Sequence, residues 1–298
     1  MNVAIVFSAF GGDAPLLRQA LRAIPRLRAA NPQDRIDAFV LDDAAHPLPE
    51  APEGVRYART AWNRGGNLTG LENMRGMAEE LARIGGGGYD WIVKTDCDTF
   101  LNSLDWLRAC SARGLALAGT MTAGSHFCRG ICYALTPALA RKWRAQLASP
   151  AVQARIRRGK GQEDVCFTRL AYDAIAKVYA FTYAPAAPEA PCAVFAWRTA
   201  GRAPADIAAS HYAATFKRCT MNKPPEQKSA FIEEAAERMK AYADALCPPE
   251  PPRKEPPQCE THSKPSGASS AAPEKTPPPK SRAASSRKRK TSRATENS

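Results

Sequence analysis

The sequence predicts an α/β protein built on a mostly parallel, Rossmann-like sheet with helices on both faces. Three observations carry this expectation. Short apolar runs of strand length alternate with segments whose apolar residues recur at helical spacing. Acidic residues close two of those runs, as Asp42-Asp43 and Asp96-Cys97-Asp98. The apolar patterning also stops abruptly. From Pro248 to Ser298 there is no Val, Ile, Leu, Met, Phe, Tyr or Trp, and those 51 residues hold 11 prolines. Such a segment cannot bury enough apolar surface to offset its ordering entropy. The chain therefore divides into a folded domain, residues 1–247, and a disordered Pro/Ser/Lys/Arg-rich tail, residues 248–298.

Val3 to Phe7 is a short apolar run bounded by Gly11-Gly12, and predicts a buried strand. Asp13 can cap the next helix, with Pro15 tolerated in its first turn. Leu16, Leu17, Ala20, Leu21, Ile24 and Leu27 keep helical spacing, and Pro25 is expected to kink or end that helix. Ile36 to Leu41 predicts a second strand, and Val55 to Thr60 a weaker third. Leu68, Leu71, Met74, Ala78 and Leu81 mark an amphipathic helix that Gly85 to Gly88 stops. Asp90 to Thr95 predicts a fourth strand running straight into Asp96. Leu104, Leu107 and the run Leu115 to Ala118 continue the alternation. Gly130 to Leu135 reads as a strand, and Pro137 opens a helix through Leu147. Arg155 to Gly161 reads as a basic loop, followed by a helix from Val165 to Ile175 and a last one over Glu226 to Leu246. There is no internal repeat.

The formal net charge is +13, of which the tail contributes +6 and the body +7. A mildly basic body suits an anionic substrate such as a nucleotide diphosphate, and equally suits nucleic acid. Nine cysteines are scattered without a paired framework. No signal peptide and no stretch approaching ~20 apolar residues is present, so no membrane span is expected. A reducing cytoplasm with free thiols fits this pattern.

Asp96 and Asp98 stand at i and i+2. On extended chain both side chains point to one face. Mg²⁺ or Mn²⁺ typically binds one or two protein carboxylates plus substrate phosphates. A departing nucleoside diphosphate gathers negative charge that such a metal neutralises. The alternative is a solvated acidic loop, or a cap formed by Asp98. The position directly after an apolar strand favours the metal reading. Glu163-Asp164 follows the basic loop and starts a helix. One of them can be a general base for an acceptor hydroxyl, or both can be first-turn acids favoured by the helix dipole. His211 is either a metal ligand or a structural histidine. Cys128 and Cys132 have no matching second pair, so a zinc site is not expected. Arg287 to Lys290 predicts at most weak contact of the tail with anionic surfaces.

Lys94-Thr-Asp-Cys-Asp-Thr-Phe-Leu-Asn102 resembles a stretch of the β1,3-galactosyltransferase and fringe-like glycosyltransferases. Asn67-Leu68-Thr69, which stands 29 residues before Asp96, resembles another. So do Cys128-Arg-Gly-Ile-Cys-Tyr-Ala-Leu-Thr136, Glu163-Asp164-Val165 and the late His211. The resemblance spans about residues 64 to 211 and implies the GT-A fold. It implies inverting transfer from a nucleotide sugar, usually a uridine diphosphate sugar, to a glycan or other hydroxyl acceptor. Asp98 and His211 would hold Mn²⁺ or Mg²⁺, with Asp96 supporting the site. Asp164 would be the catalytic base, with Glu163 on the acceptor side. The nucleotide sugar would meet Ser8, Ala9, Phe10, Asp42, Arg64, Asn67, Lys94 and Thr95. Cys97 departs from the family, which has a central Asp there; the amino-terminal membrane anchor and disulfides usual in the family are not expected from this sequence either.

The alternatives are a family 2-like glycosyltransferase of the same fold, a nucleotidyltransferase, or a non-enzymatic anion- or nucleic-acid-binding protein acting through the tail. A nucleotidyltransferase usually carries a glycine-rich, base-bearing loop after its first strand. Ser8 to Asp13 has glycines but no base.

Overall fold

Strand β1 (Asn2–Ala9) shows why the core has two sides. Its odd positions Val3, Ile5, Phe7 and Ala9 join one apolar cluster, and its even positions Ala4 and Val6 join another. Side chains alternate along a strand, so a strand apolar at every position from Val3 to Phe7 needs cover on both faces. On one face that cover comes from α1 (Ala14–Leu21), α2 (Ala23–Ala30), α4 (Asp105–Ala112) and α8 (Pro225–Leu246). On the other it comes from α3 (Leu71–Gly85), α5 (Pro137–Leu147), α6 (Pro150–Arg158) and α7 (Glu163–Asp173).

The computed structural model describes residues 1–62, 70–121, 127–158, 162–174, 176–185, 193–196, 207–212 and 225–247. Only the backbone is described at 120–121, 179–185, 193–196, 207–208, 211 and 225–228. The tail, and Arg64 and Asn67, lie outside the described residues. No described helix is long and apolar enough to cross a membrane.

The α/β class is as expected. β3 (Arg56–Arg59), β2 (Arg35–Asp42), β1 and β4 (Trp91–Asp96) lie side by side and all parallel. Beyond β4 the sheet continues through β7 (Cys132–Leu135), β6 (Leu117–Met121), β8 (Val178–Pro185), β9 (Ala193–Ala196), β10 (Ile207–His211) and β5 (Thr99–Leu101). β6 and β8 pair in parallel, and the other neighbours in this half are antiparallel.

Local chemistry explains several boundaries. The helix expected to break at Pro25 divides at Arg22 instead. Proline has no N–H to give the carbonyl four residues back, at Leu21, so the ladder fails one turn before the ring. Thr136 caps α5 by accepting from the Leu139 N–H, with Pro137 in the first turn. Gly88, at φ 77°, lies in the left-handed region just past α3. Arg155 to Arg158, expected in a loop, form the end of α6. That helix has one buried apolar residue, Ile156, so its periodicity is faint in the sequence.

Candidate functional site

The carboxyl end of β4 is where the two acidic motifs converge. β4 ends at Asp96, Cys97 and Asp98 form a two-residue turn, and β5 begins at Thr99. The chain therefore does not run extended through Asp96-Cys97-Asp98, so the condition under which i and i+2 side chains share a face is not met. Cys97 is buried in the core, and its thiol points to the Ser8 carbonyl at 3.6 Å. A thiol suits that apolar position. Asp96 and Asp98 are 6% and 8% exposed.

Beside the turn lies a buried polar cluster centred on Lys94. Strand β4 is buried at every position, and Lys94 is 2% exposed. A charge cannot be buried there without acceptors. The ammonium donates to Asp96 Oδ1 at 2.8 Å, to the Gly130 carbonyl at 2.6 Å and to Glu163 Oε2 at 3.2 Å. The Tyr133 hydroxyl donates to the other Glu163 oxygen at 2.8 Å. Burial raises the Glu163 carboxyl above its ordinary range, opposed by Lys94 and reinforced by Asp96. Burial also raises the Tyr133 phenol well above its ordinary value, and Glu163, Asp96 and Asp164 all add to it.

Asp164 differs from its neighbour. It is half-buried, and its Oδ1 accepts from the Val165 N–H at 2.8 Å. Asp164 and Tyr133 line the same small cavity, with Phe167 and Thr168. Glu163, expected on the acceptor side, is instead 8% exposed with both oxygens engaged.

The third distant residue arrives through backbone register. β10 pairs antiparallel with β5 so that His211 lies opposite Thr99, next to Asp98 in the chain. The Tyr212 N–H donates to the Asp98 carbonyl at 2.9 Å. Asn102 reinforces this pairing. Its amide donates to Ser210 Oγ at 2.8 Å and its oxygen accepts from the Tyr242 hydroxyl of α8 at 2.6 Å. β4, inside the sheet order, and β5, at one end of it, thus meet at the Asp96–Asp98 turn.

The residues expected to meet a nucleotide sugar fall into three groups. Ser8, Ala9 and Phe10 lie at the carboxyl end of β1, with Ser8 in register with Asp96. The Ser8 hydroxyl and the Thr99 hydroxyl are buried without a hydrogen-bond partner among the described residues. Asp42, Lys94 and Thr95 are buried. Asp42 accepts from the Leu48 N–H at 2.9 Å and from the Tyr57 hydroxyl, so it ties the loop after β2 to β3. Arg64 and Asn67 lie outside the described residues.

Sequence reasoning missed Tyr133, Gly130 and the Asn102–Ser210–Tyr242 group as site-builders. One signal was available. A lysine inside an apolar strand demands carboxylate partners. The described cysteines are free thiols. Burial pushes Cys128 and Cys132 up to about 12 and Cys110 to about 11, which keeps them unreactive. Among the described residues no group of three His, Cys, Asp or Glu side chains stands ready to hold a metal by itself. A site of two carboxylates that substrate phosphates complete does not require one.

No protein-family model matches the chain, and no curated protein matches it. Among solved structures, the galactosyltransferase LgtC in complex with donor and acceptor sugar analogs is 17% identical, covering 82% of this chain and 96% of that chain at TM-score 0.44. An active-site mutant of LgtC is also 17% identical, with 78% and 95% covered and TM-score 0.41. Mouse xyloside xylosyltransferase 1 in its apo form is 10% identical, with 60% and 85% covered and TM-score 0.39. Likeness at these levels does not bear on the chemistry.

Proposed function

We propose that this chain is a GT-A glycosyltransferase of the β1,3-galactosyltransferase and fringe-like type. It moves a sugar from a nucleoside diphosphate sugar, with uridine diphosphate the first choice of nucleotide, to a hydroxyl of a glycan or other acceptor. One observation carries the reading. The Asp96-Cys97-Asp98 turn lies at the carboxyl end of a parallel strand, beside the backbone of His211, and Lys94 joins Asp96 to Glu163, the chain neighbour of Asp164. Ligands of open α/β sheets bind outside the carboxyl ends of the strands.

A divalent cation fits this place. Two carboxylates, a histidine whose backbone lies opposite Thr99, and the hydroxyls of Ser8 and Thr99, which have no hydrogen-bond partner among the described residues, would offer a hard, oxygen-rich donor set. Asp98 and His211 would hold Mn²⁺ or Mg²⁺, with Asp96 in support because Lys94 already binds it. The ion would supply neutralisation of the charge gathering on the departing diphosphate.

The protein's own residues do the rest. Ser8, Ala9 and Phe10 border the nucleotide, with Arg64 and Asn67 as further donor contacts. Asp164 takes the proton of the acceptor hydroxyl as its oxygen attacks the anomeric carbon. The bond from that carbon to the diphosphate breaks in the same displacement, which inverts the configuration.

A donor screen tests the reading. Purified chain is incubated with a panel of nucleotide sugars, with Mn²⁺, Mg²⁺ or chelator, and released nucleoside diphosphate is measured. Metal-dependent release from one donor is expected. If no donor is hydrolysed and calorimetry finds no metal-dependent nucleoside diphosphate binding, the reading fails.

A further inference from the structure

We infer that Lys94, Tyr133 and Glu163 form a buried bridge that holds Asp164 at a fixed offset from the Asp96–Asp98 turn, which makes Glu163 a positioning residue. The inference rests on Asp164 being the base of the proposed reaction.

The bridge joins three segments at one point. One ammonium ties together the end of β4 through Asp96, the chain before β7 through the Gly130 carbonyl, and the start of α7 through Glu163. Lys94 and Tyr133 are register partners on adjacent antiparallel strands, so the two groups gripping Glu163 are fixed relative to each other. The sheet thus holds both oxygens of a single carboxylate. Gly130 completes the grip. A Cβ there would stand 3.1 Å from Glu163 Oε2 and 3.9 Å from the Asp164 Cβ, so the absence of a side chain lets the chain lie against both acids.

Stability alone does not account for such a cluster. It buries two carboxylates on one ammonium, and well-packed apolar residues are often as stabilising as a buried ion pair. Apolar contacts lack direction, whereas two hydrogen bonds, one to each oxygen of the Glu163 carboxylate, fix its position and orientation. Consecutive Cα atoms are 3.8 Å apart, so Asp164 inherits that placement. The neighbouring side chain turns about 100° away on the helix, which leaves Asp164 half out of the protein.

The test uses the full chain and the variants Glu163→Gln and Tyr133→Phe. Amide hydrogen exchange across residues 163–167 needs no substrate. Transfer at saturating donor, and calorimetric affinity for uridine diphosphate with Mn²⁺, give the second and third readouts. Exchange should quicken at the start of α7 in both variants. In Glu163→Gln, transfer should fall by about 10-fold, since misplacement by ~1 Å can cost up to 10²-fold. Tyr133→Phe should fall less, and nucleotide affinity should stay within about 2-fold in both, because the Asp96–Asp98 side is untouched.

Unchanged exchange at 163–167 overturns the bridge as an anchor. A Glu163→Gln loss as large as that of Asp164→Asn overturns the positioning role, because Glu163 would then itself meet the acceptor. If the wild-type chain neither binds uridine diphosphate nor turns over a donor, the proposed function fails, while the exchange result still decides the bridge.

Discussion

Two acidic pairs meet at this site, and they divide their work differently. Asp96 and Asp98 flank a turn at the end of a strand, and both are buried. Glu163 and Asp164 are adjacent at the start of a helix, and one is buried while the other is half out. A strand end followed by a turn is held by backbone on both sides: Asp96 N–H donates to the Ile131 carbonyl and the Asp98 carbonyl accepts from Tyr212. Both carboxylates can therefore be kept inside. A helix start is fixed on one side only, so burying one side chain turns its neighbour out. In each pair one member, Asp96 or Glu163, is bound by the same lysine. Sharing a cation, rather than spacing in sequence, is what links the pairs.

The strongest way to break that link is Lys94→Met. It leaves two buried carboxylates facing an apolar chain, and removing one partner of a buried ion pair costs about 3–5 kcal/mol. Urea unfolding should show a loss of that size. The double variant Lys94→Met/Glu163→Met should recover part of it, because a buried pair replaced by apolar residues is often tolerated. A loss under about 1 kcal/mol, the level of an exposed pair, would mean that Lys94 does not couple the two acids.

Much of the Asp96–Asp98 side was legible in sequence, and less of the bridge. Apolar runs located β1, β2 and β4, and the acidic residues at their ends followed from them. The parallel half of the sheet is built from contiguous strand-helix units, whose patterning is local. β5, β9 and β10 are three to five residues long and pair with partners up to about a hundred residues away. Ile207-Ala-Ala-Ser-His211 is alanine-rich, so neither propensity nor alternation marks it as a strand. Whether Asp96 and Asp98 stand on extended chain or in a turn was left open by the sequence, because side-chain spacing alone does not show where a strand stops. Glu163 was read as open because a first-turn acid is normally solvated. Its burial depends on Lys94, 69 residues away, and on a glycine that makes room.

Asp164→Asn sharpens the contrast within the second pair. Transfer at saturating donor should fall by at least ~10²-fold, the usual scale for general-base catalysis, with donor affinity nearly intact. Transfer at near wild-type rate would reduce Asp164 to a helix-start acid and leave the base elsewhere. Asp98→Asn probes the first pair. It keeps an oxygen but removes a charge, so metal-supported binding of uridine diphosphate should weaken by roughly 10–100-fold, the 1.5–3 kcal/mol of a charge-assisted contact. Calorimetry with and without Mn²⁺ measures it, and an unchanged metal-dependent affinity would remove Asp98 from the site.

The smallest effect tests why the first pair can be buried on both members. The turn after β4 is braced from the far end of the chain, where Tyr242 on α8 donates to Asn102 at 2.6 Å and Asn102 holds Ser210 beside His211. Asn102 is 3% exposed, so Tyr242→Phe leaves a buried amide oxygen short of a donor. Tyr242 itself is half-buried, and water can enter where its hydroxyl was. The cost should therefore lie near the ~1 kcal/mol of one ordinary hydrogen bond rather than near that of a fully sealed orphan. In a folded body of this size that corresponds to about 2–4 °C in melting temperature. Metal-supported nucleotide binding should weaken with it, by a few-fold at most, since β10 stays paired through its backbone. Asp164 is not joined to this brace, so transfer per bound donor should not change. A Tyr242→Phe chain that melts like wild type would show that the turn is held by the sheet alone. One that loses transfer at saturating donor would show that the two acidic pairs are coupled through α8 as well as through Lys94.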